Sequence, residues 1–199
     1  MHRNNFFIGL VLLAVSLTGC SSADKLPGAS AANPDTLAQF AGLAFSSPPV
    51  VHHQDDGRVQ VELSSAWSDD GRLVVRAVFT PDDPGYHLYG SQMAKTGVQG
   101  IGRPTLLEVS GDPSFAEVGP LVWDKTPIEH LDKTLNLVLS LYPDGPVTLY
   151  LPLNFQTPPQ GPTQIPVQLT YMACSKQSCY SPIEQHVEQI EVTAPAVAP

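Results

Sequence analysis

The chain has 199 residues, with 19 acidic and 10 basic side chains, a net charge of −9, 20 prolines and 15 glycines. That charge excludes a nucleic-acid binder, because phosphate contacts need a clustered basic surface and here Lys and Arg are few and scattered; the acidity serves solubility and the choice of partner. The density of proline and glycine argues against long helices. The chain also lacks a Gly-x-Ser-x-Gly run, a phosphate loop and a His-Glu-x-x-His pair, which removes the commonest hydrolase and nucleotide-binding signatures.

In chain order, Arg3 precedes an apolar run from Phe6 to Leu17. About a dozen apolar residues are too few to cross a hydrocarbon core of roughly 30 Å as a helix, so the run reads as a targeting segment, residues 1–19. It ends in Leu17-Thr18-Gly19-Cys20. This order resembles a bacterial lipobox and implies cleavage before Cys20 and lipidation of that cysteine; the plainer alternative is an ordinary signal peptide with an unused cysteine. Acyl chains there anchor the protein to a membrane by burying CH₂ groups, at about 0.8 kcal/mol each. Aspartate at the next position would resemble an inner-membrane retention signal, so Ser21 points to the outer membrane of a diderm cell. Residues 20–56 are rich in Ala, Ser, Pro and Gly and read as a flexible tether, since such a composition buries too little surface to offset chain ordering. Within it, Thr36 to Phe45 is a short amphipathic piece, either transiently helical or docked on the domain that follows.

Residues 57–193 are long enough for one domain with its own core, and a short tail, 194–199, follows. Val59–Leu63 alternates apolar and polar residues, the period of a half-buried strand. Leu73–Thr80 is rich in strand formers and follows the turn Asp69-Asp70-Gly71. Leu135–Tyr142 and Val147–Phe155 alternate on either side of Pro143-Asp144-Gly145-Pro146, a turn cluster. Ile165–Met172 and Val187–Val192 supply two more strands. Six short strands with frequent turns predict an all-β, immunoglobulin-like β-sandwich.

Cys174 and Cys179 lie between the last two of these strands, in Tyr171-Met-Ala-Cys-Ser-Lys-Gln-Ser-Cys-Tyr-Ser-Pro182. With Cys20 assigned to the lipid, they are the remaining thiol pair of an exported protein. A six-residue ring gains little from closing the unfolded chain, because that contribution grows with loop length. A tight disulfide on a loop is of the labile kind, and Lys176 favours a nearby thiolate. Staple and redox centre both stay open on these grounds. His52-His53 with Asp55 and Asp56 resembles a metal site only in composition; a closed zinc site wants four ligands at fixed spacing, and this pair falls in the tether. Cys174, Cys179 and His186 form a second set, suited to a thiophilic ion such as copper(I). No metal is expected at either. Glu129 and Glu184 read as solvated charges, Trp67 and Trp123 as core or edge aromatics.

The stretch Val167–Pro182 resembles the cysteine hairpin of the periplasmic N-terminal domain of the disulfide reductase DsbD. That family carries a Tyr-x-x-Cys run, a second cysteine a few residues on and an exit with an aromatic residue and proline, here Tyr171, Cys174, Cys179, Tyr180 and Pro182. A second block, Pro84-Gly-Tyr-His-Leu-Tyr-Gly-Ser-Gln-Met93, resembles the family's Gly-Tyr-x-Leu-Tyr strand, and the likeness spans about Gly57 to Val192. It implies an immunoglobulin-like sandwich with the cysteines on a hairpin at one end, and dithiol–disulfide exchange with thioredoxin-like periplasmic proteins. Carried over residue by residue, Cys179 forms the mixed disulfide and Cys174 resolves it, while His87, Tyr89, Tyr171, Tyr180 and Pro182 surround the pair. Three departures stand out: four residues separate the cysteines, one fewer than in the best-known members; the second proline of the exit is Ser181 here; and the capping loop, sought near Trp123, lacks an Asp-Glu-Phe shield, leaving Ile128, His130 or Leu131 to substitute. With no transmembrane reductase or thioredoxin-like domain in the sequence, electrons would come from a separate membrane thiol transporter. The expectation is a lipid-anchored exchange module without a cofactor beyond its redox-active disulfide and the Cys20 lipid. The alternative is an immunoglobulin-like binding lipoprotein with a purely structural disulfide.

Overall fold

The computed structural model of the protein describes residues 33–109 and 115–193. The expected targeting segment, Cys20, the first part of the tether (20–32) and the tail lie outside these residues. In chain order the elements are α1 (Pro34–Ala41), β1 (Val50–Gln54), β2 (Val59–Trp67), β3 (Leu73–Pro81), β4 (His87–Leu88), β5 (Leu106–Val109), β6 (Phe115–Val118), β7 (Val122–Trp123), β8 (Ile128–Asp132), β9 (Leu137–Leu141), β10 (Val147–Phe155), β11 (Thr163–Tyr171), β12 (Ala173–Cys174) and β13 (Ile183–Val192).

Two sheets face each other. The larger runs β1-β2-β3-β10-β6, with β7 also pairing β10; the smaller runs β13-β11-β5. Alternation explains the core between them. On β2 it points Val59, Val61 and Leu63 inward; on β3 Val75, Ala77 and Phe79; on β10 Val147, Leu149, Leu151 and Leu153. Facing them are Ile165, Val167, Leu169 and Tyr171 of β11, Ile190 and Val192 of β13, and Leu107 of β5. This is the expected all-β, immunoglobulin-like sandwich.

The N-terminal stretch differs from its reading as a tether. Asn33 accepts a hydrogen bond from the Asp35 amide, and Pro34 sits at the start of α1, a helix start of standard chemistry. Phe40, fully buried, lies against Tyr150 on the outer face of the large sheet, beside Val74 and Val122. The Arg76 guanidinium sits 4.1 Å from the centre of the Phe45 ring, a cation–π contact. Val50–Gln54 then pairs antiparallel with β2 as the edge of the sheet. The average composition of the stretch is poor in large apolar residues, but the few present fall together at helical spacing and find a prepared surface.

β8 and β9 form a separate hairpin. The expected inward run from Leu135 shortens here. Leu137, Leu139 and Leu141 are buried while Leu135 is 48% exposed, because the Asp132 carboxylate accepts from the amides of Thr134 and Leu135 and turns the chain before β9 begins.

The core predicts its own energetics. Leu149→Ala removes a fully buried side chain from the middle of the sandwich and is expected to cost about 2–5 kcal/mol in urea unfolding. The Cys174→Ala/Cys179→Ala variant is expected to cost about 2 kcal/mol or less and to keep its β-type circular dichroism, since a ring this short constrains little unfolded chain. A larger loss from the cysteines than from Leu149 would make the disulfide the staple of the domain.

Candidate functional site

β11 runs through the core and, after a register shift between Leu169 and Tyr171, delivers the chain to β12 at one end of the sandwich. There Ala173 pairs with Leu88 and Cys174 with His87. The next four residues, Ser175-Lys-Gln-Ser178, reverse the chain. The Ser175 hydroxyl accepts from the amides of Gln177 and Ser178 at 3.2 and 3.1 Å, the Ser175 amide donates to the Ser178 carbonyl at 2.7 Å, and Tyr180 N–H closes onto the Ala173 carbonyl at 3.0 Å. The turn is therefore built by hydrogen bonds that serine supplies locally. A disulfide joins Cys174 to Cys179 across it.

The two sulfurs differ in environment. Cys174 is 2% exposed and belongs to an apolar cluster with Tyr89, Met93, Leu137, Leu139 and Leu141; Cys179 is exposed. The Tyr89 hydroxyl donates to Cys174 Sγ at 3.1 Å. Burial raises the pKa of that phenol, so it stays protonated and able to donate. Its ring lies on the backbone of Gly102, where a Cβ would come within 2.7 Å of the ring and where φ is +75°, so glycine is required there on both counts. His87, half-buried, meets Tyr89 edge-on at 5.6 Å between ring centres. Burial lowers its pKa, with Asp144 acting against that and His130 with it, which keeps the imidazole neutral near pH 7.

The β8–β9 hairpin overhangs the disulfide. It is joined to the site through Tyr89, which bridges to Leu141, through Gly90 N–H on the Ser140 carbonyl at 2.9 Å and through Tyr142 N–H on the Leu88 carbonyl at 2.9 Å. Between the hairpin tip and the cysteine loop lies an open cavity of about 540 Å³, lined by both cysteines, His87 and Tyr89 on one side and by His130 to Leu135 on the other. The segment that faces the cysteines across this cavity is the β8–β9 hairpin tip and not the chain near Trp123. His130 and Leu131 line the cavity; Ile128 stands outside it, and Trp123 is buried in the main core.

Of the other residues expected around the cysteines, Tyr180 stacks on Tyr86 at 4.5 Å outside the cavity. Its hydroxyl donates to Asp83, which raises the pKa of the phenol and lowers that of the carboxyl, and Tyr86 shares a 2.7 Å hydrogen bond with the Ser178 hydroxyl. This pair braces the cysteine loop from behind. Pro182 leads into β13 and does not line the cavity. Tyr171 points the other way: it is fully buried, edge-on to Phe79, with its hydroxyl 3.1 Å from His52 Nε2. The period of β11 sends it into the core with Ile165, Val167 and Leu169.

The metal sets considered from sequence separate. His52 and His53 point to opposite sides of β1; His53 pairs with Asp82 at 2.9 Å, whereas His52 meets His186 and Glu188. His186 accordingly lies with Glu188 and not among the residues around the cysteines. Glu184 pairs with Arg103, and Trp67 donates to the Thr193 carbonyl at 2.8 Å. The grouping of His52, His186 and Glu188 was missed in the sequence, although the i, i+2 spacing of His186 and Glu188 already put them on one face of a strand. Among the described residues no helix is long and apolar enough to cross a membrane.

No curated protein matches the chain significantly. Among solved structures, the N-terminal periplasmic domain of ScsB from Proteus mirabilis aligns with a TM-score of 0.44 and 14% identity, covering 76% of this chain and 51% of that one, so the chain spans about half of that structure's length. The family model of the N-terminal part of the thiol:disulfide interchange protein DsbD matches residues 54–191, well over half of the sequence, from the last residue of β1 almost to the end of β13 and including both cysteines. The chain belongs to the family of DsbD N-terminal domains.

Proposed function

We propose that the protein is a thiol–disulfide exchange module that passes reducing equivalents through Cys174 and Cys179 to or from thioredoxin-like partners on the periplasmic side of a bacterial membrane, held there by a lipid on Cys20. One observation carries the reading: an exposed Cys179 is bonded to a buried Cys174 whose sulfur receives the Tyr89 hydroxyl. A partner thiolate reaches Cys179 Sγ from the cavity, the S–S bond breaks, and Cys174 leaves with the electron pair as a thiolate. A hydrogen bond donated to that thiolate is of the stronger, charge-assisted kind. The partner's second thiolate then attacks its own sulfur in the mixed disulfide and releases Cys179. The partner's dithiol has become a disulfide, and the Cys174–Cys179 disulfide a dithiol that has taken two electrons and two protons. In reverse, the Cys179 thiolate attacks a partner's disulfide and Cys174 resolves the product. Family membership supports this chemistry, and the hairpin tip offers a wall against which a partner segment can lie.

The rival reading, a binding lipoprotein with a structural disulfide, has less support from the loop itself. Hydrogen bonds from Ser175 and Tyr180 already close the turn, so the disulfide adds little that the backbone lacks.

Three outcomes test the proposal. The reduction potential of the Cys174–Cys179 couple, measured by equilibration with glutathione, is expected well above the roughly −300 mV below which structural disulfides sit; a value beneath that limit favours the binding lipoprotein. Cys174→Ser, reduced and offered an oxidised thioredoxin-like protein, is expected to accumulate a covalent complex through Cys179, whereas Cys179→Ser accumulates much less. Equal trapping would overturn the division of roles. Tyr89→Phe removes a hydrogen bond to a developing thiolate, a class of interaction worth about 1.5–3 kcal/mol, and is expected to slow reduction of the disulfide at least tenfold in stopped-flow measurements while leaving the melting temperature nearly unchanged.

A further inference from the structure

Away from the disulfide, the open side of the sandwich brings together its two edge strands, β1 of the larger sheet and β13 of the smaller. His52 Nδ1 and His186 Nε2 each lie 2.8 Å from the same oxygen, Glu188 Oε1, and the three atoms are all within 4.8 Å of one another. We propose that His52, His186 and Glu188 bind one divalent ion of the zinc class, which clips the two sheets together.

The donor set fits such an ion. Two imidazoles and one carboxylate make the borderline nitrogen and oxygen environment that zinc accepts, and this combination leaves a position for water. Metal–ligand bonds of about 2.0–2.2 Å place the ligand atoms of a tetrahedral site roughly 3.3 Å apart. Opening the present 2.8 Å separations by a few tenths of an ångström therefore makes room. The imidazoles already sit side by side, with ring centres 4.2 Å apart, and they converge on a single carboxylate oxygen.

The outer partners favour the same conclusion. A ligating histidine is aimed by the bond its other ring nitrogen makes. Both other nitrogens are engaged here: His52 Nε2 with the Tyr171 hydroxyl at 3.1 Å, and His186 Nδ1 with the Gln54 side-chain amide at 3.1 Å. A phenol and a carboxamide can each either donate or accept. When an ion takes the place of the two protons now shared with Glu188, His52 Nε2–H can donate to the Tyr171 oxygen and His186 Nδ1–H to the Gln54 carbonyl oxygen. With the Gln54 carboxamide turned over, each of the four ring nitrogens keeps a partner in either state. The site is closed on the core side by His52, 4% exposed, and open to solvent along β13, where the side chains of His186 and Glu188 are 31% and 28% exposed. An ion therefore has a way in.

The position gives the ion a structural consequence. Tyr171 anchors the end of β11, and Cys174 follows three residues later. Gly57, in the turn after β1, presses against Tyr171 and Ile183 so closely that an added Cβ would meet them at 3.1 and 2.8 Å. A clip between β1 and β13 fixes the same corner.

The test uses the full, untagged chain with its disulfide intact, in chelator-stripped buffer, titrated with zinc chloride in a calorimeter. Saturable binding of one ion per chain is expected, with a melting temperature that rises with zinc concentration. Glu188→Gln and His186→Asn, both at partly exposed positions that a folded strand tolerates, are each expected to weaken binding at least tenfold and to abolish the rise in melting temperature. Tyr171→Phe, which keeps the ring and removes only the outer hydrogen bond, is expected to weaken it by about tenfold. No saturable uptake by the wild-type chain at about 100 µM zinc, or binding that survives both Glu188→Gln and His186→Asn, overturns the proposal; in the second case the ion sits elsewhere, as on His53 and Asp82.

Discussion

The site rests on a ladder of two residue pairs, His87 with Cys174 and Leu88 with Ala173. It joins segments far apart in sequence, and almost every contact around the sulfurs follows from it. Because His87 faces Cys174, the chain two residues later brings Tyr89 onto the same sulfur. Because Leu88 accepts from Tyr142 and Tyr89 bridges to Leu141, β9 docks on the far side of the same segment. The cap and the cysteine turn are thus held by one short stretch, Tyr86–Gly90, and their separation sets the cavity. Arg103 supports that stretch by donating to the carbonyls of Thr96, Gly100 and Gly102, which holds the Gly102 backbone where the Tyr89 ring needs it.

The unequal surroundings of the two sulfurs have a physical consequence. An exposed sulfur can be approached by a nucleophile, and a buried one cannot. A buried thiolate in an apolar cluster is costly unless something donates to it. Tyr89 is that donor, and its own burial ensures that it keeps its proton. The neutral imidazole of His87 adds no fixed charge beside the pair. In the proposed exchange, this asymmetry directs attack to the exposed Cys179 and departure to the buried Cys174.

Much of the sandwich was legible because its long strands place an apolar side chain in the core at every second residue. Core-facing apolar residues recur at every second position of β2, β10 and β11, and period 2 is visible in a single sequence. β4, β7 and β12 were not legible: a strand of two residues has no period. β8 was hidden because all its side chains but Asp132 are exposed, so nothing in its composition separates it from a loop. β1 was read as tether because only His52 of its residues is buried, a polar residue facing inward for reasons that lie on β13. Tyr171 shows the limit of a motif. Its spacing to Cys174 suggested a place beside the sulfurs, whereas the alternation of β11, equally visible, sends it to the core. Where the two signals conflicted, the periodicity of the strand described the side chain's direction.

A protein that exchanges its disulfide, as proposed above, must be stable with and without that bond, and here the core and the cysteine turn are separate. The sandwich core, from Val59 to Val192, contains neither cysteine. The turn between them is closed by the Ser175 hydroxyl and the Tyr180 amide, which are indifferent to the state of the sulfurs. The loop is braced from behind by the stacked Tyr86 and Tyr180, the latter tied through Asp83 to Arg58. In the proposed exchange, breaking the S–S bond frees the exposed Cys179, while Cys174 keeps its place beside Met93, Leu137 and Leu139, an apolar setting that suits a neutral thiol. On that reading the covalent change is confined to one turn outside the sandwich core, and a single backbone serves both redox states.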